Sequence, residues 1–272
     1  MNNATVVGLV PAAGRGQRIA PLPCSKELYP VGFRRDERTG EVRPKVVSHH
    51  LFDKFRAAGI DTAYVVVRSG KWDIPSYFVD GQVVGVDLAY VVIENSFGPA
   101  DTLDRAYPFV REQTVAFGFP DILFGPDDVF AQLLAEADAR GADAVLGLYL
   151  AHDVRLSDMV DADGSGRIRA MALKPVASDC QYTWSCAVWG ARFTRFMHEV
   201  LAEERGKDVD ARLAYRDIDP NGDLPVGAVI KSAVDHGLRV HGVAFREDDY
   251  FDIGTPENLF EVTRRSTCGI PV

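Results

Sequence analysis

Near its beginning the sequence reads Val6-Val7-Gly8-Leu9-Val10-Pro11-Ala12-Ala13-Gly14-Arg15-Gly16-Gln17-Arg18, an apolar run that enters a loop of small residues and arginines. Small side chains let backbone N–H groups approach an anion closely, and a following guanidinium supplies charge that tracks phosphate oxygens. Pro11, Ala12, Ala13, Gly14, Arg15, Gly16 and Gln17 therefore read as a phosphate cradle. A tight strand-to-helix turn with solvated arginines would have the same composition. A second cation, Lys26, follows Arg18 in a loop restricted by Pro21 and Pro23 and closed by the apolar Leu28. Both charges could thus converge on one polyphosphate. Two familiar phosphate motifs are absent: no Lys-Ser or Lys-Thr follows Gly14 or Gly16 as a P-loop requires, and the dinucleotide fingerprint needs glycine where Ile19 stands.

Elements that would position such a loop recur along the chain. Short apolar runs, as expected for strands covered on both faces, occupy Thr5 to Pro11, Thr62 to Val67, Leu88 to Val92, Thr114 to Phe119, Ala144 to Leu150 and Arg239 to Ala244. Between several of them lie stretches of helical period: Val47 to Ala58 closed by Gly59, Phe97 to Val110, and Val129 to Arg140 with Asp127 and Asp128 before it and Gly141 after it. Alternating strand and helix predicts a mostly parallel sheet wrapped by helices, with the ligand beyond the carboxyl ends of the strands. The site is expected in the loops after Val10, Val92, Phe119 and Leu150. Arg34 to Arg43 reads as a solvated hairpin or loop, and Glu203 to Asp223 as a polar stretch of poor periodicity.

Composition excludes several classes. The 272 residues are 47% hydrophobic and 25% charged, and 30 Lys plus Arg against 39 Asp plus Glu leave a net charge of −9. A general nucleic-acid binder would usually be basic, so no nucleic-acid partner is expected. Cys24, Cys180, Cys186 and Cys268 show no metal or redox spacing and read as reduced thiols of a cytoplasmic protein. No signal peptide and no membrane-spanning run is expected. His49, His50, His152, His198, His236 and His241 do not cluster and receive no role.

The stretch from Gly14 to Val31 resembles the leading motif of the sugar-phosphate nucleotidyltransferases, G-x-G-T-R followed by a loop and P-K-x-L-x-P-V. Gly14, Gly16, Arg18, Lys26, Leu28, Pro30 and Val31 match; Gln17 replaces Thr and Ser25 replaces Pro. A Ser-Lys version is similar to glucose-1-phosphate thymidylyltransferases, whereas the short Arg-to-Lys loop is nearer uridylyl- and cytidylyltransferases. Phe97-Gly98-Pro99-Ala100-Asp101-Thr102-Leu103 looks like the family's G-x-A segment, which would make Gly98 and Asp101 nucleotide contacts; taken alone it is a helix start. Phe117 to Phe124 resembles L-G-D-N-x-F, which implies Asp121 as a metal ligand with Pro120 where Gly is usual. Leu173-Lys174-Pro175 is similar to E-K-P, implying Lys174 on the sugar-phosphate. Leu173 replaces a Glu that contacts sugar hydroxyls, so another group accepts them or the sugar differs. Tyr182 and Trp184 would flank the sugar, while Trp189 reads as core. Tyr250 to Leu259 matches W-x-D-x-G-T-P-E-x-L, implying Asp252 as second metal ligand, with Thr255-Pro256 also a good helix start.

The resemblance spans about residues 5 to 262 and implies one α/β domain over 1–272. This would be a Rossmann-like, mostly parallel mixed sheet flanked by helices, in the glycosyltransferase-A-like nucleotidyltransferase architecture. Its nucleotide part would cover about 1–125 and its sugar-phosphate part about 126–272. It further implies Mg²⁺ on Asp121 and Asp252, Arg18 and Lys26 as catalytic cations, a nucleoside triphosphate and a sugar-1-phosphate as substrates, a place in nucleotide-sugar biosynthesis, and an optional homo-oligomer. Three alternatives stand beside it: a catalytically silent regulator that binds nucleotide sugars, a cytidylyl- or uridylyltransferase acting on another small phosphate, and a glycosyltransferase. The last would need its D-x-D motif at Asp161-Ala162-Asp163, a string that with Gly164-Ser165-Gly166 reads better as an exposed turn.

Overall fold

A computed structural model describes residues 5–36, 39–207, 223–245 and 250–267. Its strands are β1 (Val6–Ala12), β2 (Pro30–Arg35), β3 (Val42–Val46), β4 (Thr62–Arg68), β5 (Asp87–Ile93), β6 (Thr114–Gly118), β7 (Ile122–Phe124), β8 (Ala144–Leu150), β9 (Asp158–Ala162), β10 (Ile168–Leu173), β11 (Tyr182–Trp189), β12 (Val240–Ala244) and β13 (Tyr250–Asp252). The helices are α1 (Val47–Ala57), α2 (Asp73–Phe78), α3 (Pro99–Asp104), α4 (Tyr107–Val110), α5 (Val129–Arg140), α6 (Ala191–Arg205), α7 (Val226–Asp235) and α8 (Pro256–Thr267).

Nine strands form one sheet, with β10-β9-β11-β6-β1-β4-β5 in order and β8 and β12 continuing from β11. The segment β6-β1-β4-β5 is parallel, and β12 runs parallel to β8. The long β11 runs antiparallel to β6, β8 and β9 and so joins the two regions. The sheet is thus mixed, as expected of this architecture. Successive residues of β1 serve opposite faces: Leu9 packs with Phe117, Trp189 and Phe193, while Val10 packs with Leu51, Phe55 and Phe130. That period-2 division explains why the run is apolar throughout. Gly8 permits the fit to α1, since a Cβ there would lie 2.6 Å from the Phe55 ring.

Local signals are mostly realised. Helix α5 ends at Gly141 in the left-handed conformation, φ 57°. The charged excursion is the β2–β3 hairpin. Residues 161–166 form the exit and turn of the β9–β10 hairpin, where the Asp163 carboxylate accepts from Ser165 N and Oγ. The expected helix Phe97 to Val110 instead breaks into α3 and α4, because Pro108 has no N–H for the Asp104 carbonyl and its ring crowds that turn. The polar stretch Glu203 to Asp223 completes α6 and then enters 208–222, outside the described residues, as does Cys268. No helix among the described residues is long and apolar enough to cross a membrane.

Candidate active site

The loop leaving β1 is held by side chains from the neighbouring β4 and the segment after it. Arg68 Nε donates to Ala13 O at 3.0 Å, and Lys71 Nζ donates to Gly14 O at 3.2 Å. The Asp73 carboxylate accepts from Ser25 N at 2.6 Å and from Ser25 Oγ at 2.8 Å. These bonds outweigh its burial and hold the Asp73 carboxyl below the usual range. Gly16, with φ 61°, makes the turn from which Arg15, Gln17 and Arg18 project outward. Carbonyls of the cradle are thereby tied to the sheet, while Gly14 and Arg15 stay exposed. Pro11, Ala12 and Ala13 form the half-buried and buried floor.

Two acid–base pairs close this end of the sheet. Lys26 Nζ donates to Asp121 Oδ2, joining residues 95 positions apart. Burial opposes the lysine charge, but Asp121 and Glu27 outweigh it and raise the Lys26 pKa. Burial likewise pushes Asp121 up, and Lys26 overcomes it, so this carboxyl titrates below its usual range. Asp252 stands on β13, opposite Ile122 of β7 in an antiparallel pair, and Ile253 N donates to Asp121 O at 3.2 Å. Burial and the Asp121 charge push the Asp252 carboxyl above the ordinary range, although Gly254 N donates to its Oδ1 at 2.7 Å. Arg18 Nη2 reaches within 3.9 Å of Asp252 Oδ2, and a Cβ on Gly254 would lie 2.7 Å from that guanidinium. Any larger residue there would have to displace the Arg18 and Asp252 side-chain ends. Thr255 Oγ1 caps α8 by accepting from Asn258 N at 3.3 Å, and Asn258 Nδ2 anchors the Asp252 carbonyl at 2.7 Å. The cap and the Asp252 carboxylate therefore share one turn.

This donor set fits a hard divalent cation. Asp121 and Asp252 crowd each other's charge, and a cation between them would relieve the penalty on Asp252. Among the described residues no group of three or more His, Cys, Asp or Glu gathers as a metal cluster. Two carboxylates with the remaining positions left to phosphate oxygens or water is the pattern magnesium favours over a full protein cage.

Other expected site residues fall elsewhere. Asp101 is fully buried and accepts from Arg105 and Arg205, and Asp104 also receives Arg205. The Asp101 carboxylate thus fastens α3 to α6, and its reading as a nucleotide contact rests on the resemblance alone. Gly98 is buried as well: a Cβ there would lie 2.4 Å from Leu224 N, so the open space serves the chain's own backbone rather than a ligand. Trp184 is 7% exposed and packs on Phe117 and Phe119, making it core wall more than pocket lining. Trp189 is core, bonded through Nε1 to Thr194. Tyr182 is half-buried at the start of β11, and Lys174 follows β10 with a positive φ of 42°. Asp161-Ala162-Asp163 is spent on its hairpin turn, which removes the glycosyltransferase motif.

Sequence reading missed the groups that brace the loop. Glu27 is 2% exposed and accepts from Lys71 Nζ at 2.8 Å with both oxygens. Burial drives its carboxyl up, while Lys71 and Lys26 pull against that. Its place inside the Ser25-Lys26-Glu27-Leu28 match was the available signal; Arg68, Lys71 and Asp73 carry none, being unremarkable polar residues after an apolar strand.

No protein-family model matches the chain. A mannose-1-phosphate guanylyltransferase of Mycobacterium tuberculosis is 27% identical over 171 residues, covering 62% of this chain and 44% of that protein. The matched stretch thus spans less than half of the curated relative. A Bacillus anthracis protein assigned as a glucose-1-phosphate thymidylyltransferase, crystallised with sucrose, superposes with a TM-score of 0.75 at 18% identity over 96% of this chain and 95% of its own. A UDP-glucose pyrophosphorylase complexed with UDP-glucose also gives 0.75, at 12% identity over 97% and 99%. The fold is the one these two structures share.

Proposed function

We propose that this chain is a nucleotidyltransferase that joins a nucleoside triphosphate to a sugar-1-phosphate and releases pyrophosphate, one step of nucleotide-sugar synthesis. The observation that carries the reading is the meeting of Lys26 with Asp121 and of Arg18 with Asp252 around one turn at the carboxyl ends of β1 and β6. An oxygen of the sugar-phosphate attacks the α-phosphorus, a new P–O bond forms, and the bond to the β-phosphate breaks with its electrons leaving on pyrophosphate. The attacking phosphate is already anionic at neutral pH, so no general base is required. Catalysis reduces to alignment and charge neutralisation.

Arg18 and Lys26 offset charge gathering on the departing pyrophosphate. The cradle Pro11 to Gln17 receives the triphosphate, with Arg68 and Lys71 keeping the Ala13 and Gly14 carbonyls turned away from the anion. Lys174 steers the attacking phosphate, and Tyr182 flanks the sugar. Asp121 and Asp252 would hold Mg²⁺, which when bound supplies charge neutralisation for the triphosphate. A pyrophosphate-release screen in Mg²⁺ buffer, crossing the common nucleoside triphosphates with sugar-1-phosphates and other small phosphates, tests the reading. Turnover with one pair identifies base and acceptor together. Tight nucleotide-sugar binding by calorimetry with no turnover for any pair would refute catalysis and leave the silent-regulator alternative.

A further inference from the structure

We propose, building on the function proposed above, that Asp158 recognises a hydroxyl of the acceptor's sugar, the contact that Leu173 cannot make. The antiparallel register of β9 and β10 sets Asp158 opposite Leu173, the residue immediately before Lys174. Both side chains emerge on one face against α7: a Cβ on Gly227 would lie 2.1 Å from Asp158 Oδ2 and 3.2 Å from Leu173 Cδ2. Glycine at the second position of α7 therefore makes room for a carboxylate, and its strand partner Leu173 offers no acceptor.

Asp158 Oδ1 is buried without a hydrogen-bond partner. Such a group normally finds one, since an unsatisfied buried acceptor is costly. Burial raises the carboxyl's pKa, opposed by the Lys174 ammonium and by a hydrogen bond from the Trp184 side chain. Residue 158 as a whole is only half-buried, and the terminal torsion of an aspartate is soft, so a small rotation turns Oδ1 toward a donor on a ligand held by Lys174. Its charge also bears on the Tyr250 phenol, which Asp252 and Asp121 influence as well. One ligand could therefore meet Lys174 with its phosphate and Asp158 with its body. The missing partner must be a donor. On a sugar phosphate the available donors are hydroxyls, and one of them satisfies the oxygen.

Steady-state pyrophosphate release by the full chain and by D158N, which preserves volume, with D158A as a second variant, tests this. The acceptors are a turned-over hexose-1-phosphate, its series of monodeoxy analogues, and phosphocholine and phosphoethanolamine. The expected result is a KM for the hexosyl phosphate raised roughly ten- to a hundredfold in both variants, with the triphosphate KM unchanged. One deoxy analogue should show the same KM with the parent chain and the variants, because it lacks the recognised hydroxyl. Turnover of hexosyl phosphates with KM unmoved by D158N, or moved equally for every analogue, overturns the inference while leaving the proposed function standing. Turnover of phosphocholine or phosphoethanolamine with none of any hexosyl phosphate overturns this inference, since neither carries a sugar hydroxyl. Absence of turnover with every acceptor overturns the proposed function and this inference together.

Discussion

Replacing Lys26 by methionine keeps the length of the side chain and removes its charge. The Lys26 and Asp121 side chains are 17% and 9% exposed, so solvent screens their attraction little. Removing one partner of a buried ion pair costs about 3–5 kcal/mol, because the other charge is left uncompensated. In the parent chain Lys26 brings Asp121 below its unfolded pKa, and this contribution to stability is present above that value and lost as pH falls through the folded one. Without Lys26, burial and Asp252 push Asp121 above its unfolded pKa. The folded state then binds the proton more tightly, and stability rises as pH falls through the raised value. The K26M deficit should therefore be largest near about pH 7 and shrink on acidification toward about pH 4. Urea unfolding without divalent cations, followed by tryptophan fluorescence across that range, reads it directly. The double variant K26M/D121N should recover to within about 1 kcal/mol of the parent chain. A K26M deficit below about 1 kcal/mol at neutral pH, or one that is the same at every pH, would refute the assignment of Lys26 as the counter-charge.

Pyrophosphate release by D121A and D252A should fall by about a thousandfold or more, with far-UV circular dichroism unchanged; near-normal turnover by either would defeat the two-carboxylate site. His49 and His50 on α1 are buried neutral, their pKa values lowered by burial to about 4 and about 3. Both lie below the unfolded value, so the unfolded chain takes up protons first and each histidine should withdraw about 2 kcal/mol of stability between about pH 7 and pH 5. H50Q should flatten that part of the denaturation profile, and an unchanged slope would contradict the burial. Gly98→Ala should cost about 3 kcal/mol or more in thermal unfolding, since φ is 129° and a Cβ would collide with the Leu224 backbone; a Tm within a degree or two of the parent would deny that close packing.

Much of the fold could be read from the chain, because its cues are local. Apolar runs marked β1, β4 and β8 to within a residue or so, since a parallel strand covered on both faces has no polar position. Gly141 and Thr255 marked a helix end and a helix start through backbone conformation and capping, which depend on a few neighbours. The candidate cations and carboxylates Arg18, Lys26, Asp121 and Asp252 were also legible, as members of ordered motifs. What periodicity could not supply was which charge meets which. That Lys26 faces Asp121, that Arg205 consumes Asp101, and that one oxygen of Asp158 is left without a partner depend on the register of β9 with β10, of β7 with β13, and on the packing of α6 against α3. Propensity and spacing act over one or two turns of chain. Burial and Coulomb attraction act between groups that only the folded sheet brings together, and they decide whether a carboxylate is a ligand, a fastening or an unfilled acceptor.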